Sequence, residues 1–458
     1  MGTTLRMIAD SFGPHWSGGE DSCLEACRQT DRSSLDVVST VPHDFLAAHL
    51  PAYDLAAHAV AALETAANNA RAALGLPPHE AAPNPERIAA SFAGDKMFRL
   101  AGRPVAGFAE LSGFFATSDG WVRTHANYPH HRARLLDALG LDGSCDRERF
   151  RRQVAALTAA DVEERAAAAG AIAVRVRSES EWAASEPGRA AASGDLVTVR
   201  VRADRGRRRA SGTGPAPLAS VRVLDLTRVI AGPVASRALA LLGADVLRID
   251  PPHLPEIELQ HLETGQGKRS ARLDLRKPDG LATFRALLAD ADILLTGYRP
   301  GSLEALIGEP GSGRPGLVHG RVCAWGRTGP WAGRRGFDSI VQAASGIALI
   351  EGDAGRPGAL PAQALDHASG YLLAAGAIDA LVDGRRDGAG RDVDVSLART
   401  AAWLLDRPNR RQSPPPARLP GPDTVVTHGE ITTARPVLAE FDDYPFPART
   451  WGADAPRW

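Results

Sequence analysis

Between residues 218 and 405 the chain alternates between two hydrophobic periods. Val221 to Leu226, VRVLDL, is a continuous apolar run of the length of a buried strand. Pro233 to Leu242 has helical spacing, opened by Gly232-Pro233 and closed by Gly243, and Ala244 to Ile249, ADVLRI, is a second strand. This βαβ unit implies a parallel, doubly wound sheet. A helix over Gly280 to Ala289, strands over Asp292 to Thr296 and Leu317 to Ala324, a helix over Gly370 to Val382 and a strand over Arg391 to Val395 continue the alternation. The fold class is α/β, with a Rossmann-like large domain and a smaller α+β domain ahead of it.

Upstream, residues 1–35 are polar and irregular, and Asp54 to Leu74 reads as an alanine-rich amphipathic helix stopped by Gly75 and Pro77-Pro78. Residues 111–140 suggest a strand, a Ser118-Asp119-Gly120 turn, a strand around Trp121 to His125, and a helix. Helical, alanine-rich sequence follows to Ala192, with Trp182 as an anchor, so the small-domain-like part spans 101–198. ADRGRRRASGTGPAP at 203–217 reads as a linker between an N-terminal unit at 1–202 and the large domain at 218–405. The proline-rich stretch 406–458, with Phe441, Tyr444, Phe446, Trp451 and Trp458, reads as a tail lying extended over another surface.

With 53 basic and 54 acidic residues the formal charge is −1, so no global basic field draws the chain to nucleic acid or anionic lipid. The arginine cluster near 205–209 reads as a solvated linker rather than a nucleic-acid arm. Four cysteines are too few for a disulfide framework, and the N-terminus has no apolar signal core. No segment has enough uninterrupted apolar residues to span a bilayer, and the expected setting is cytoplasmic. Cys23 and Cys27 could share a helix face with His130 and His131 as remote ligands, but no second tight pair completes a zinc set, so no metal is expected.

Asp250 ends the second strand where a ribose-binding acid would sit. The first βα turn offers only Gly232, however, and phosphate cradling by a dinucleotide fingerprint needs more glycine, so no NAD or FAD is expected. Asp366, in LDHASG ahead of the apolar helix YLLAAGAIDALV, has two readings. It is a helix N-cap, a role Asp performs well. Alternatively, the helix dipole and free amides hold it ionised as a nucleophile.

In sequence order, VRVLDLTRVIAGPVASRALALLGADVLRIDPP, GKRSARLDLRKPDG, LLADADILLTGYRPGSLEAL, GRRGFDSIVQAASG and LDHASGYLLAAGAIDALVDGRRDGAGRDVDVSLA resemble the successive blocks of the family III CoA-transferases. That family includes formyl-CoA:oxalate and L-carnitine CoA-transferases, and its fold also carries α-methylacyl-CoA racemases. The resemblance implies that Asp366 is the nucleophile, forming an aspartyl anhydride and then an aspartyl-CoA thioester. It places CoA and substrate contacts at Ile230 and Ala231, Leu273 to Arg276, Tyr298 and Arg299, and Arg335 and Phe337. It implies acyl-CoA and a carboxylic acid as substrates, no cofactor beyond coenzyme A, and a homodimer that can be interlocked. Pro251 and Ala305 stand where arginines commonly hold CoA phosphates, and Phe337 replaces a common tyrosine. A racemase has a histidine at the position of Phe337, so that rival reading lacks its acid/base partner; a catalytically silent CoA-binding protein is the other rival. DGWVRTHANYPHHRARLLDALG, which in the family follows the large domain, precedes it here, and so the first 200 or so residues look like the trailing part of one family unit fused ahead of another unit. Within it, Asp54 is either a degenerate echo of Asp366 or a plain N-cap.

Overall fold

The computed structural model describes residues 44–458 except 106, 207–213, 309 and 354. The expected irregular N-terminus, the Cys23–Cys27 pair and the arginines at 207–209 lie outside the described residues.

Along the chain, helix α1 (Ala52–Ala73) is followed by a two-residue strand β1 (Arg99–Leu100). Then come β2 (Gly113–Ala116), β3 (Trp121–Thr124), α2 (Pro129–Ala138) and β4 (Ala173–Arg175). Strands β2, β3 and β4 form a small antiparallel sheet, as the turn at Ser118 to Gly120 foreshadowed. β5 (Thr198–Arg205) leads to the large unit: β6 (Arg222–Asp225), α3 (Ala231–Leu241), β7 (Asp245–Asp250), β8 (Lys268–Arg272), β9 (Ile293–Thr296) and β10 (Val318–Cys323). It closes with α4 (Asp338–Ser345), α5 (Ala364–Asp387) and β11 (Ala389–Ser396), and the tail carries β12 (Val425–His428) and β13 (Ile431–Ala434).

The seven-stranded sheet runs β5-β11-β10-β9-β6-β7-β8. Its pairs are parallel except β5 against β11. From β8 to β11 the strand order reverses beside β6, the switch point at which open α/β sheets bind ligands. β9 is buried at every position because helices cover both faces of a parallel sheet. Helix α5 is buried nearly all round, packing against α1 on one side and α3 on another, which is why its apolar residues show no single stripe. Gly370 makes the α3 packing possible: a Cβ there would lie 2.5 Å from the Ala231 carbonyl oxygen.

Three observations differ from the sequence reading. Helix α5 starts at Ala364, not Gly370, so Asp366 lies inside its first turn. The boundary expected between 202 and 203 falls within β5, which joins the large sheet as its antiparallel edge. The tail is not wholly extended, because β12 and β13 form a hairpin about Gly429 (φ 59°), and β13 pairs with β1. Beyond the hairpin the tail straps the sheet edge: the Ser270 N–H donates to Asp454 at 2.8 Å and the Trp458 indole donates to the Leu287 carbonyl at 2.9 Å. Among the described residues no helix is long and apolar enough to cross a membrane.

Candidate active site

The first turn of α5 has an unusual cap. Its N-cap residue, Gln363, makes no side-chain hydrogen bond to the turn. Asp338, the first residue of α4, supplies the acceptor instead: the Asp366 N–H donates to Asp338 Oδ2 at 3.0 Å, and the Leu365 amide also donates to this carboxyl. Asp366 is thereby released from capping and projects a carboxyl of its own. The N-cap reading of Asp366 is corrected accordingly. Gln342 donates to the other oxygen of Asp338 and accepts the Leu360 N–H at 2.9 Å, fixing the loop ahead of α5.

Asp338 is fully buried and Asp366 is 6 % exposed. Burial pushes the Asp338 carboxyl up to about 6, against the pull of its amide donors. Asp366 is pushed well above the usual carboxylate range by burial and then by the charge of Asp338. The two acids therefore ionise as a pair rather than independently.

Asp366 opens on a cavity of about 50 Å³ whose wall includes Asp95, Phe108, His125, Ile230, Glu263 and Phe337. A second cleft, of about 300 Å³, lies at the switch point, lined by Arg228, Gly297, Tyr298, Arg299, Arg334 and Arg335 among others. Val229 and Phe337 belong to both walls. Phe337 stacks on His125 with ring centroids 3.8 Å apart and planes 8° from parallel, so one aromatic layer divides the two spaces. Burial, then the neighbouring His131, drives the His125 imidazole down to about 3, so it is neutral. Val229 has φ 72°, a strained conformation for a β-branched residue, and its N–H is held by Glu256 Oε2 at 3.2 Å.

Glu256 is the hub behind the larger cleft. It pairs with Arg248 at 2.9 Å and with Arg228 at 3.3 Å, and accepts the Tyr128 hydroxyl. Burial alone would raise its carboxyl, but Arg248 and Arg228 outweigh burial and hold it down at about 2. The four arginines Arg228, Arg299, Arg334 and Arg335 make this cleft cationic, and their planar forks suit phosphate.

Of the residues singled out from sequence, Asp366, Ile230 and Phe337 meet in the smaller cavity, and Tyr298, Arg299 and Arg335 meet in the larger one. Ala231 is buried at the start of α3, against Gly370. Leu273 and Arg276 line neither space, and the Arg276 guanidinium pairs with Asp274 at 2.9 Å. Asp54 is in the first turn of α1, whose N-cap is Pro51, and it lines neither space. Asp250 is buried and paired with Arg248 at 2.8 Å, a structural role. His130 and His131 lie at the rim of the larger cleft, and the described residues contain no cluster of three or more metal-ligating side chains.

The sequence reading missed Arg228, Glu256, Tyr128, His125 and Asp95 as site residues. Arg228 carried a signal, an arginine directly after the first strand of a βαβ unit. His125, Tyr128 and Asp95 carried none, because they come from the N-terminal half and reach the sheet only through the tertiary fold.

Residues 218–414 match the family model for CoA-transferase family III. The chain is 32% identical over 228 residues to a probable fatty acyl-CoA transferase of Mycobacterium tuberculosis, covering 45% of this chain and 58% of that protein. It is 33% identical over 215 residues to the alpha subunit of a succinyl-CoA–L-malate CoA-transferase of Chloroflexus aurantiacus, covering 43% and 50%. A crystal structure of the M. tuberculosis protein aligns with a TM-score of 0.39 at 32% identity, over 42% of this chain and 57% of that one. The chain thus spans about half the length of the curated relatives it matches.

Proposed function

We propose that the protein is a CoA-transferase that moves CoA from an acyl-CoA thioester to a carboxylic acid, with Asp366 as nucleophile. The observation that carries this reading is a released, buried carboxyl in a small pocket, one aromatic layer from an arginine-lined cleft. The cleft takes the nucleotide phosphates, and the thioester passes beside Phe337 into the pocket. Ionised Asp366 attacks the thioester carbonyl, the C–S bond breaks, and an aspartyl anhydride forms with CoA thiolate as leaving group. The thiolate attacks the aspartyl carbonyl and expels the donor's carboxylate, giving an aspartyl-CoA thioester. The acceptor carboxylate attacks that thioester to form a second anhydride and CoA thiolate. The thiolate then takes the acceptor's acyl group and restores Asp366. No redox step enters, and electrons balance at each acyl transfer. The burial that raises Asp366 makes its anion reactive once formed. The working unit is taken to be a homodimer, as the family resemblance implies.

Asp366→Asn tests the reading. Turnover should fall at least about a thousandfold, with the melting temperature nearly unchanged, because an amide cannot form the anhydride. Acyl-CoA followed by hydroxylamine should leave a hydroxamate on Asp366 in the wild type alone. Full activity in the variant, or modification of Asp338 instead, overturns the assignment.

One observation favours a second reading. His125 stacks on Phe337, the position where a racemase has its histidine, and lines the same pocket as Asp366. Together they form an acid/base pair suited to exchanging a proton beside the thioester. Deuterium incorporation into acyl-CoA in heavy water, with no acceptor acid present, selects this reading.

A further inference from the structure

The wall of the Asp366 pocket is chemically one-sided. Asp95 and Glu263 both face it, and none of the described residues lining it is an arginine or lysine. Lys96, next in the chain, directs its ammonium to the Pro361 carbonyl at 2.5 Å. Arg237 pairs with Glu263 from behind at 3.3 Å, and Asp95 accepts the Lys96 backbone N–H at 2.9 Å.

A second, independent observation concerns Ser339, His125 and His367, which line the same pocket and are 5 %, 3 % and 3 % exposed. Ser339 Oγ, His125 Nδ1 and His367 Nδ1 have no hydrogen-bond partner within the described residues. Buried polar atoms left in this state cost free energy, and a ligand that supplies their partners recovers it. A cavity of about 50 Å³ has room for about four water-sized groups.

We infer that the acid handled in this pocket ends in a hydrogen-bond donor, an ammonium or a hydroxyl, rather than in a second carboxylate. Asp95 and Glu263 accept from the donor end, and Ser339 and the two imidazoles meet the remaining polar atoms. A second carboxylate would face Asp95 and Glu263 with no arginine or lysine among the described wall residues to pair it.

This inference rests on the transferase reading only for its name as a substrate pocket, and two measurements separate them. Calorimetric titration of wild-type protein, with no thioester present, uses 4-aminobutyrate, 4-hydroxybutyrate, butyrate and succinate, which match in length. The amino and hydroxy acids should bind at least about tenfold more tightly than butyrate, and succinate more weakly than butyrate. Asp95→Asn should cut the advantage of 4-aminobutyrate by about tenfold while altering butyrate little. The same four acids are then offered as CoA acceptors. Tight binding of the amino or hydroxy acid without CoA transfer sinks the transferase reading and leaves the pocket assignment standing. Transfer to succinate ahead of the others, or an unchanged ranking in Asp95→Asn, overturns the pocket assignment and leaves the transferase reading intact.

Discussion

Two buried carboxylate clusters, behind the two spaces that the His125–Phe337 layer separates, have been driven in opposite directions. Behind the larger cleft, Glu256 sits among Arg228 and Arg248 and is held ionised down to about 2. Behind the smaller pocket, Asp338 and Asp366 meet each other and helix amides, burial outweighs the pull of Arg123 on Asp338, and both are pushed up. Burial acts alike on both, so the difference lies in the neighbours. A cluster whose acid is over-compensated by cations presents a positive face to a polyanion. A cluster of acids facing one another holds a carboxylate that is costly to ionise and therefore reactive. The fold has placed an over-compensated carboxylate on one side of an aromatic layer and an under-compensated pair of carboxyls on the other.

The largest way to break this contrast is Glu256→Gln. Removing one member of a buried ion cluster takes the carboxylate from Arg228 and leaves Arg248 with Asp250 alone, and such losses cost about 3–5 kcal/mol. Thermal unfolding should show a large drop, and the Tyr128 link between the N-terminal half and the sheet should weaken with it. The wild type should also lose stability in acid through this group. A depressed carboxylate contributes above its unfolded value of about 4.3 and loses that contribution as pH falls toward about 2. A variant that melts like the wild type at pH 7 removes Glu256 from its place as hub.

The opposite sign is expected from Asp338. Its folded value lies above the unfolded one of about 3.9, so its contribution is complete below that value and is lost as pH rises toward about 6. The loss follows a slope of at most about 1.4 kcal/mol per pH unit. Asp338→Asn should flatten this part of the melting curve, since the amide oxygen still accepts from the α5 turn but no longer titrates. Activity should rise through the ionisation of the acid pair in the wild type, and that limb should shift in the variant. An unaltered stability slope between pH 4 and 6 would show that Asp338 is already ionised in the folded state.

These two clusters also mark how far the sequence could be read. The strands and their order of appearance were legible because β6, β7 and β9 are apolar runs bounded by turn residues, and burial on both faces leaves that simple imprint. Asp366 was visible as a residue with two readings, cap or nucleophile, because its polar neighbours His367 and Ser369 suit a cap equally well. What removes the cap reading is Asp338, 28 residues earlier, occupying the amides. Nothing in local pattern reports a cap delivered from another helix. His125 and Asp95 were illegible for a similar reason: they approach from a half of the chain whose packing through α1 and β5 no periodicity announces.

A smaller effect is expected for Arg335→Ala. One of its guanidinium nitrogens donates to the Gly170 carbonyl at 2.8 Å, which holds the fork at the cleft wall. If it pairs a phosphate of CoA, binding should weaken by about 1–3 kcal/mol, and Arg335→Lys should recover only part of that because a point charge cannot bind in a bidentate way. Calorimetry of CoA at two salt concentrations reads both terms. Equal dissociation constants for wild type and Arg335→Ala exclude this residue from the cleft's function.

The smallest expected change in free energy probes the partition itself. Phe337→Leu keeps an apolar side chain at the N-cap of α4 but removes the face that stacks on His125, a loss of about 0.5–1.5 kcal/mol. Melting should therefore move little, and CoA affinity should be nearly unchanged, because the arginine forks are untouched. What should change is discrimination. With no ring to hold it flat, the layer between the two spaces loosens, and branched or longer acyl groups that the small pocket rejects gain room. The ratio of kcat/KM for a branched to a short unbranched acyl-CoA should rise several-fold, which corresponds to about 1 kcal/mol. An unchanged ratio alongside the expected small drop in melting temperature would show that the layer is structural packing, and that pocket size is set by Phe108 and Ile230 instead.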